Sequence, residues 1–218
     1  MITFTSSNNL SLFPKENSPP ETDPFFHELM ARKAGYGLIA GVDEAGRGPL
    51  AGPVVAAGVI FPEGVKLTGV KDSKKMSENA REKAFHIINE KAIAIAIGVV
   101  SNRFIDKFNI LKASLEAMKQ AVSSLAPLPE YLFVDGNHKV PVSIPQRCVK
   151  KGDQIVLSIS AASVIAKVYR DRIMRSYHEW LPEYGFFTNK GYGTASHLAA
   201  LEQYGPSPIH RLTFKGVC

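Results

Sequence analysis

Gly41-Val42-Asp43-Glu44-Ala45-Gly46-Arg47-Gly48-Pro49 is the stretch on which the reading of this chain turns. Two adjacent carboxylates leave an apolar run and enter a turn of small residues, where backbone can approach a ligand closely. Adjacent carboxylates at a strand end repel, and a divalent cation with hard oxygen ligands or a basic neighbour relieves the repulsion. On these residues alone a metal site and a solvent-facing turn stand equal.

Working outward, Leu38 to Asp43 and Val54 to Phe61 are runs of apolar β-formers on either side of that glycine-rich turn. They predict an antiparallel hairpin or meander, with Asp43 and Glu44 at a strand end. Tyr131 to Asp135 is a second short apolar strand finishing in a carboxylate and Gly136, and Val140 to Ile144 is expected as a small strand after it. A third carboxylate at a strand terminus tips the balance toward metal. Asp153, in Lys151-Gly152-Asp153 ahead of a long helix, either favours that helix's N-terminus or completes the site.

Helical periodicity supplies the rest. Ser77 is placed to cap a helix through Lys91 with Ala80, Ala84, Phe85, Ile87 and Ile88 on one face, and Ile93, Ile95 and Ile97 alternate as in a strand. Phe108, Leu111, Leu115, Met118, Val122 and Leu125, three and four residues apart, predict one amphipathic helix ended by Pro127 and Pro129. Leu157 to Trp180 reads as a long helix, and Thr194 to Tyr204 as another stopped by Gly205 and Pro206. The fold class is α/β: a mixed β-sheet flanked by helices, with a helical C-terminal region. Residues 1–37 are expected to form a largely flexible N-terminal tail, with a short helix from Pro24 to Ala34, and residues 38–218 one catalytic domain.

Composition sets bounds. The 218 residues suffice for one domain with a real core. The longest apolar stretches fall well short of the about 20 residues that span a membrane, and the N-terminus lacks the charged-then-apolar layout of a secretory signal. A cytoplasmic, membrane-free, monomeric protein is the default expectation. Cys148 and Cys218 are too far apart in sequence to suggest a zinc site or a disulfide framework. No histidine pair has the four-residue spacing that puts two metal ligands on one helix face. A net charge of +6, concentrated beyond residue 147, favours a polyanionic partner.

Asp-Glu-Ala-Gly-Arg-Gly-Pro at 43 to 49 resembles the opening motif of the ribonuclease HII family, and further matches follow in order. Lys71-Asp72-Ser73-Lys74-Lys75 is similar to that family's basic loop, and Phe133-Val134-Asp135-Gly136 to its aspartate strand. Ala161-Ala162-Ser163-Val164-Ile165-Ala166-Lys167-Val168 with Arg170-Asp171-Arg172 resembles its signature helix, and Gly191-Tyr192-Gly193-Thr194 completes the set. The resemblance runs from about Leu38 to Phe214. Five ordered motifs are far more specific than any one of them.

The resemblance implies an RNase H-like fold and a metal-dependent endonuclease, using Mn²⁺ or Mg²⁺, that leaves 5′-phosphomonoesters. Its implied partners are RNA/DNA hybrids and duplex DNA containing ribonucleotides. Asp43, Glu44, Asp135 and Asp153 are the implied catalytic, metal-binding cluster. In two-metal hydrolysis one ion lowers the pKa of a water and the other stabilises the leaving 3′ oxygen. Gly46, Arg47 and Gly48 match the turn that senses the ribonucleotide 2′-hydroxyl, and Tyr192 the tyrosine that stacks near the sugar. Lys71, Lys74, Lys75, Lys167 and Arg170 are implied phosphate contacts. His210-Arg211-Leu212-Thr213-Phe214 is similar to the family's closing segment, with threonine where serine is usual. Two other readings stand beside this one. The ribonuclease HIII type is expected to carry a large N-terminal domain, and a non-catalytic basic nucleic-acid-binding module on the same fold would be favoured by a broken acidic cluster.

Overall fold

The computed structural model describes residues 25–65, 67 and 76–217. At its centre lies a five-stranded mixed sheet of order β3-β2-β1-β4-β5, formed by β1 (Ile39–Ala45), β2 (Val54–Ile60), β3 (Ala94–Val100), β4 (Tyr131–Asp135) and β5 (Gln146–Val149). Strands β1, β2 and β3 pair antiparallel, whereas β4 and β5 run parallel to β1. Helices α1 (Phe26–Lys33), α2 (Glu78–Lys91), α3 (Asn102–Phe108), α4 (Ile110–Ser123), α5 (Gly152–Ile155), α6 (Leu157–Trp180), α7 (Phe186–Asn189) and α8 (Ala195–Tyr204) surround it. This is the α/β class expected, with a mixed sheet between helices and a helical C-terminal region. No described helix is long and apolar enough to cross a membrane.

Alternation along the strands gives the sheet two apolar faces. Ala40, Val42, Val54, Ala56, Leu132 and Val134 pack with Ala113, Ala117, Met118 and Ala121 of α4. Ala57 and Val59 meet Ala161, Ala162 and Ile165 of α6 and Phe85 and Ile88 of α2 on the other face. Helix α6 lies very close: a Cβ built on Gly41 would sit 2.1 Å from the carbonyl carbon of Ser158. Only glycine at 41 lets the first turn of α6 rest directly on the β1 backbone.

Three sequence expectations change. The helix expected from Phe108 begins at Ile110, because Asn109 takes φ 80° between α3 and α4 and caps α4 with its own side chain, accepting from Lys112 N–H at 3.1 Å. Met118, Val122 and Leu125 are buried as expected, but Ala113, Ala117 and Ala121 take the place of Leu111 and Leu115, which are only half-buried. Gly98 explains this, since a Cβ there would come within 2.0 Å of the Ala117 carbonyl oxygen, so small residues bring α4 against β3. Finally, Val140 to Ile144 is loop and the strand is Gln146–Val149. Pro141 has no N–H for a ladder, and the Gln146 side-chain amide bonds both Val140 N–H (2.8 Å) and Val140 C=O (3.0 Å) instead.

Helix α1 lies inside the stretch assigned above to the N-terminal tail. Its Ala31 packs with Ile39, Tyr131 and Ile159, and its Glu28 accepts from Ser158 N–H at 3.0 Å and from the Ser158 hydroxyl at 2.8 Å. At the C-terminal end, Met174, Tyr184, Phe186, Leu201 and Ile209 form a separate cluster around Ala51, just after the turn that follows β1. Residues far apart in sequence thus hold that turn from behind.

Gly41→Ala is expected to cost about 3 kcal/mol through overpacking against rigid backbone, lowering the melting temperature by roughly 6–12 °C. A thermal melt of the variant measures it, and an unchanged midpoint would refute the close approach of α6 to β1.

Candidate active site

The sheet delivers carboxylates to one edge. Parallel pairing sets Val42 beside Val134, so the next residues, Asp43 within β1 and Asp135 at the end of β4, come side by side. Asp43 lies on the α6 face and is 3% exposed. It accepts from Glu44 N–H at 2.7 Å and from the Ser163 hydroxyl on α6. Glu44 points to the opposite face, where its Oε1 lies 3.1 Å from Arg47 Nη1 and its side chain lines a cleft with Asp135, Asn137 and His138. Asp135 Oδ1 accepts from Gly152 N–H at 2.8 Å, which brings it to the start of α5 next to buried Asp153. Gly152 is needed there, since a Cβ would press on Ile159 at 2.5 Å.

Burial, reinforced by repulsion from Glu44 and Asp135, holds the Asp43 carboxyl well above the usual aspartate range. Burial raises Glu44 too, against the opposing pull of Arg47. Such a cluster gains free energy from added positive charge, whether a proton or a cation. Each of Asp43, Glu44 and Asp135 is held by a donor of its own, and among the described residues no three acidic, histidine or cysteine groups close into a preformed cage. Hard carboxylate oxygens at adjoining backbone positions are the donor set that suits Mg²⁺ or Mn²⁺.

Beyond Glu44 the chain turns through Gly46, Arg47 and Gly48. Gly46 has φ 100°, and a Cβ on it would fall 2.1 Å from Arg170 Nε. Two buried guanidinium groups hold this turn by its carbonyls. Arg170 donates to Pro53 O (3.1 Å), Ala51 O (3.1 Å) and Lys190 O (3.0 Å). Arg211 donates to Gly46 O (2.6 Å), Arg47 O (2.9 Å) and Gly52 O (3.0 Å). Burial and the neighbouring Arg170 lower the Arg211 guanidinium to about 9. Arg170, 0% exposed with all three nitrogens engaged, shapes the turn and does not contact phosphate as its sequence suggested. Arg211 is a residue that sequence reasoning missed; its only signal was membership of the closing segment.

The remaining expected residues gather on the same side. Tyr192 is half-exposed at 45%, and a Cβ on Gly48 would lie 3.7 Å from its ring. Lys167 Nζ sits 5.8 Å from the centre of that ring while paired with Asp171 at 2.7 Å. Arg47 projects from the turn, its side chain half-exposed. Lys71, Lys74 and Lys75 lie outside the described residues. The Thr213 hydroxyl donates to Asp106 Oδ1 at 2.8 Å.

A model of the ribonuclease HII family matches residues 40–217. The chain is 55% identical over 208 residues to a ribonuclease HII of Geotalea uraniireducens, covering 95% of each chain. It is 53% identical over 209 residues to that of Geobacter sulfurreducens, covering 96% of this chain and 95% of the relative. Among solved structures it is similar to ribonuclease H2 from Pyrococcus horikoshii, at TM-score 0.70 and 28% identity, covering 83% of this chain and 95% of that one. In fold alone it is similar to Bst ribonuclease HIII solved in complex with Mn²⁺, at TM-score 0.66 and 20% identity, covering 86% of this chain and 70% of that one.

A carboxyl raised by folding stabilises the fold below its unfolded pKa and loses that contribution as pH climbs through the folded value. Asp43→Asn is therefore expected to be the more thermostable chain at neutral pH in chelating buffer. The gain is about 2–4 °C, the shift that 1 kcal/mol makes in a chain of this size, and it shrinks toward pH 4. Melting curves across that range decide it; an Asn variant that melts lower at pH 8 than at pH 4, relative to the parent, contradicts the sign.

Proposed function

The chain belongs to the ribonuclease HII family, a family of endonucleases, and from that premise we propose that it hydrolyses the RNA strand of RNA/DNA hybrids and incises duplex DNA on the 5′ side of embedded ribonucleotides. The observation that carries the proposal is the emergence of Asp43 and Asp135 from neighbouring parallel strands, with Glu44 between them and the pinned turn. Asp43, Glu44, Asp135 and Asp153 would hold Mg²⁺ or Mn²⁺. When bound, divalent ions supply activation of water and neutralisation of the charge developing on the phosphate.

The chain's own residues do the rest. Ser163 and the Glu44 and Gly152 N–H groups orient the carboxylates before any ligand arrives. The Gly46-Arg47-Gly48 turn, with its carbonyls tied back to Arg211, leaves small, outward-facing backbone to read a 2′-hydroxyl at close range. Tyr192, across from Gly48, offers a ring to the sugar, and Lys167 beside it offers a charge to the backbone phosphate. Attack of water on phosphorus with loss of the 3′ oxygen leaves a 5′-phosphate and a 3′-hydroxyl, and needs no protein nucleophile. The ionised carboxylates are the active form, and their upward shifts predict activity that rises with pH from the acidic side.

The test is purified chain on a labelled DNA duplex holding one ribonucleotide, beside an RNA/DNA hybrid, with Mg²⁺, Mn²⁺ or chelator. Cleavage 5′ of the ribonucleotide, lost in chelator and reduced about 100-fold or more in Asp43→Asn, is expected. Tight duplex binding without cleavage under any metal would defeat the reading.

A further inference from the structure

Behind Tyr192 two buried imidazoles form a chain that the reaction itself does not use. Ser207 N–H donates to His210 Nδ1 at 2.8 Å, His210 Nε2 lies 2.9 Å from His197 Nε2, and His197 Nδ1 lies 2.9 Å from the carbonyl oxygen of Tyr192. A backbone N–H can only donate and a carbonyl can only accept. The two ends therefore fix every proton between them: His210 carries its proton on Nε2, and His197 carries its proton on Nδ1 and accepts at Nε2. Adding a proton to either ring would set two N–H groups facing each other at under 3 Å. Burial accordingly pushes both imidazoles below their usual range, His210 to about 4.

The chain links the two halves of the ribose-facing slot. His210 is followed directly by Arg211, whose guanidinium grips Gly46 O and Arg47 O, and its backbone bridges to Ala51 while Arg211 N–H bonds Leu50 O at 2.8 Å. One dipeptide thus reaches the turn through its arginine and Tyr192 through its histidine. Rings of Tyr184 and Phe186 pack against both imidazoles, with centroids 4.9–6.4 Å away, which fixes the imidazole planes. His197 sits on α8, whose first turn is capped by Thr194 of the Tyr192 loop.

We propose that His197, its tautomer fixed by His210, is a positioning residue that acts through the Tyr192 carbonyl, setting the distance between the Tyr192 ring and the Gly46-Arg47-Gly48 turn and so the fit of the ribonucleotide. This rests on the reading of Tyr192 as a sugar contact. Asparagine at 197 can reproduce the Nδ1–H donor but not the Nε2 acceptor, whereas glutamine reproduces the Nε2 side and loses the tyrosine contact. A role in packing alone would favour glutamine, which fills more of the imidazole's volume at this fully buried position.

The experiment measures kcat/KM of the full chain, with Mn²⁺ or Mg²⁺, on duplex DNA with one ribonucleotide. His197→Gln is expected to fall about tenfold or more, as displacement of a positioned group does, and His197→Asn to stay within about threefold. In a Tyr192→Ala background His197→Gln should add nothing. Equal losses for Asn and Gln, or additive loss with Tyr192→Ala, overturn the proposal. If Tyr192→Ala is impaired and His197→Gln is not, the proposal alone fails; if Tyr192→Ala cleaves normally, the reading of Tyr192 fails and takes the proposal with it. The unmutated protein gives a check independent of folding. Long-range proton–nitrogen spectra of histidine-labelled chain at neutral pH should show His197 as the Nδ1–H tautomer, and an Nε2–H or charged His197 would overturn the chain of bonds.

Discussion

Like charges gathered at the edge of a sheet are the constraint from which the rest of this molecule follows. Asp135 pushes up the carboxyls of both Asp43 and Glu44, Glu44 pushes up that of Asp43, and both are largely withdrawn from water as well. Such an arrangement is unfavourable for folding, and the structure meets it with small, distributed measures. Glu44 N–H and Gly152 N–H each supply a dipole, Ser163 supplies a hydroxyl, and Arg47 supplies the nearby positive charge. None neutralises the cluster outright. What is left uncompensated favours added positive charge, whether a proton or a cation.

The neighbouring turn inverts the problem. Arg170 and Arg211 are buried cations whose guanidinium donors meet backbone carbonyls. A planar fork with five donors suits this use, because it can satisfy several diverging carbonyls that a lysine ammonium could reach only singly. The result is a loop whose path is set from inside the protein, with Arg47 projecting outward between two glycines. Rigidity of that kind favours discrimination: a hydroxyl is read well only by groups that do not yield when it is missing.

Much of the fold was legible in the chain because its signals are local. Apolar runs gave β1, β2 and β4, alternation gave β3, and the Ser77 and Thr194 caps gave the starts of α2 and α8, since each depends on residues within a few positions. The gathering of Asp43, Glu44 and Asp135 was legible for a related reason, each lying at or just beyond the end of an apolar run. What sequence misread was governed by contacts across the chain. The buried face of α4 follows from Gly98 on another element, and the loss of a strand at 140 to 144 follows from a proline and from an amide at Gln146. Arg170 looked like a phosphate ligand because charge is visible in sequence and burial is not. Arg211 bonds carbonyls between 158 and 165 positions away, for which no periodicity gives warning.

These parts differ in what sets their geometry. The carboxylates are placed by strand register, which a change of one residue would flip to the other face, and so they depend on the whole sheet. The turn and Tyr192 depend instead on the C-terminal cluster, through Arg211 and the His210 to His197 chain. The helix α6 is the element common to both, touching β1 at Gly41 and carrying Ser163, Lys167 and Arg170 along its length. Contacts to both parts are thus mounted on one rod at fixed intervals of helical rise. A shift of α6 along its axis would disturb both together, whereas loosening the C-terminal cluster would move the turn and Tyr192 and leave the carboxylates where they are.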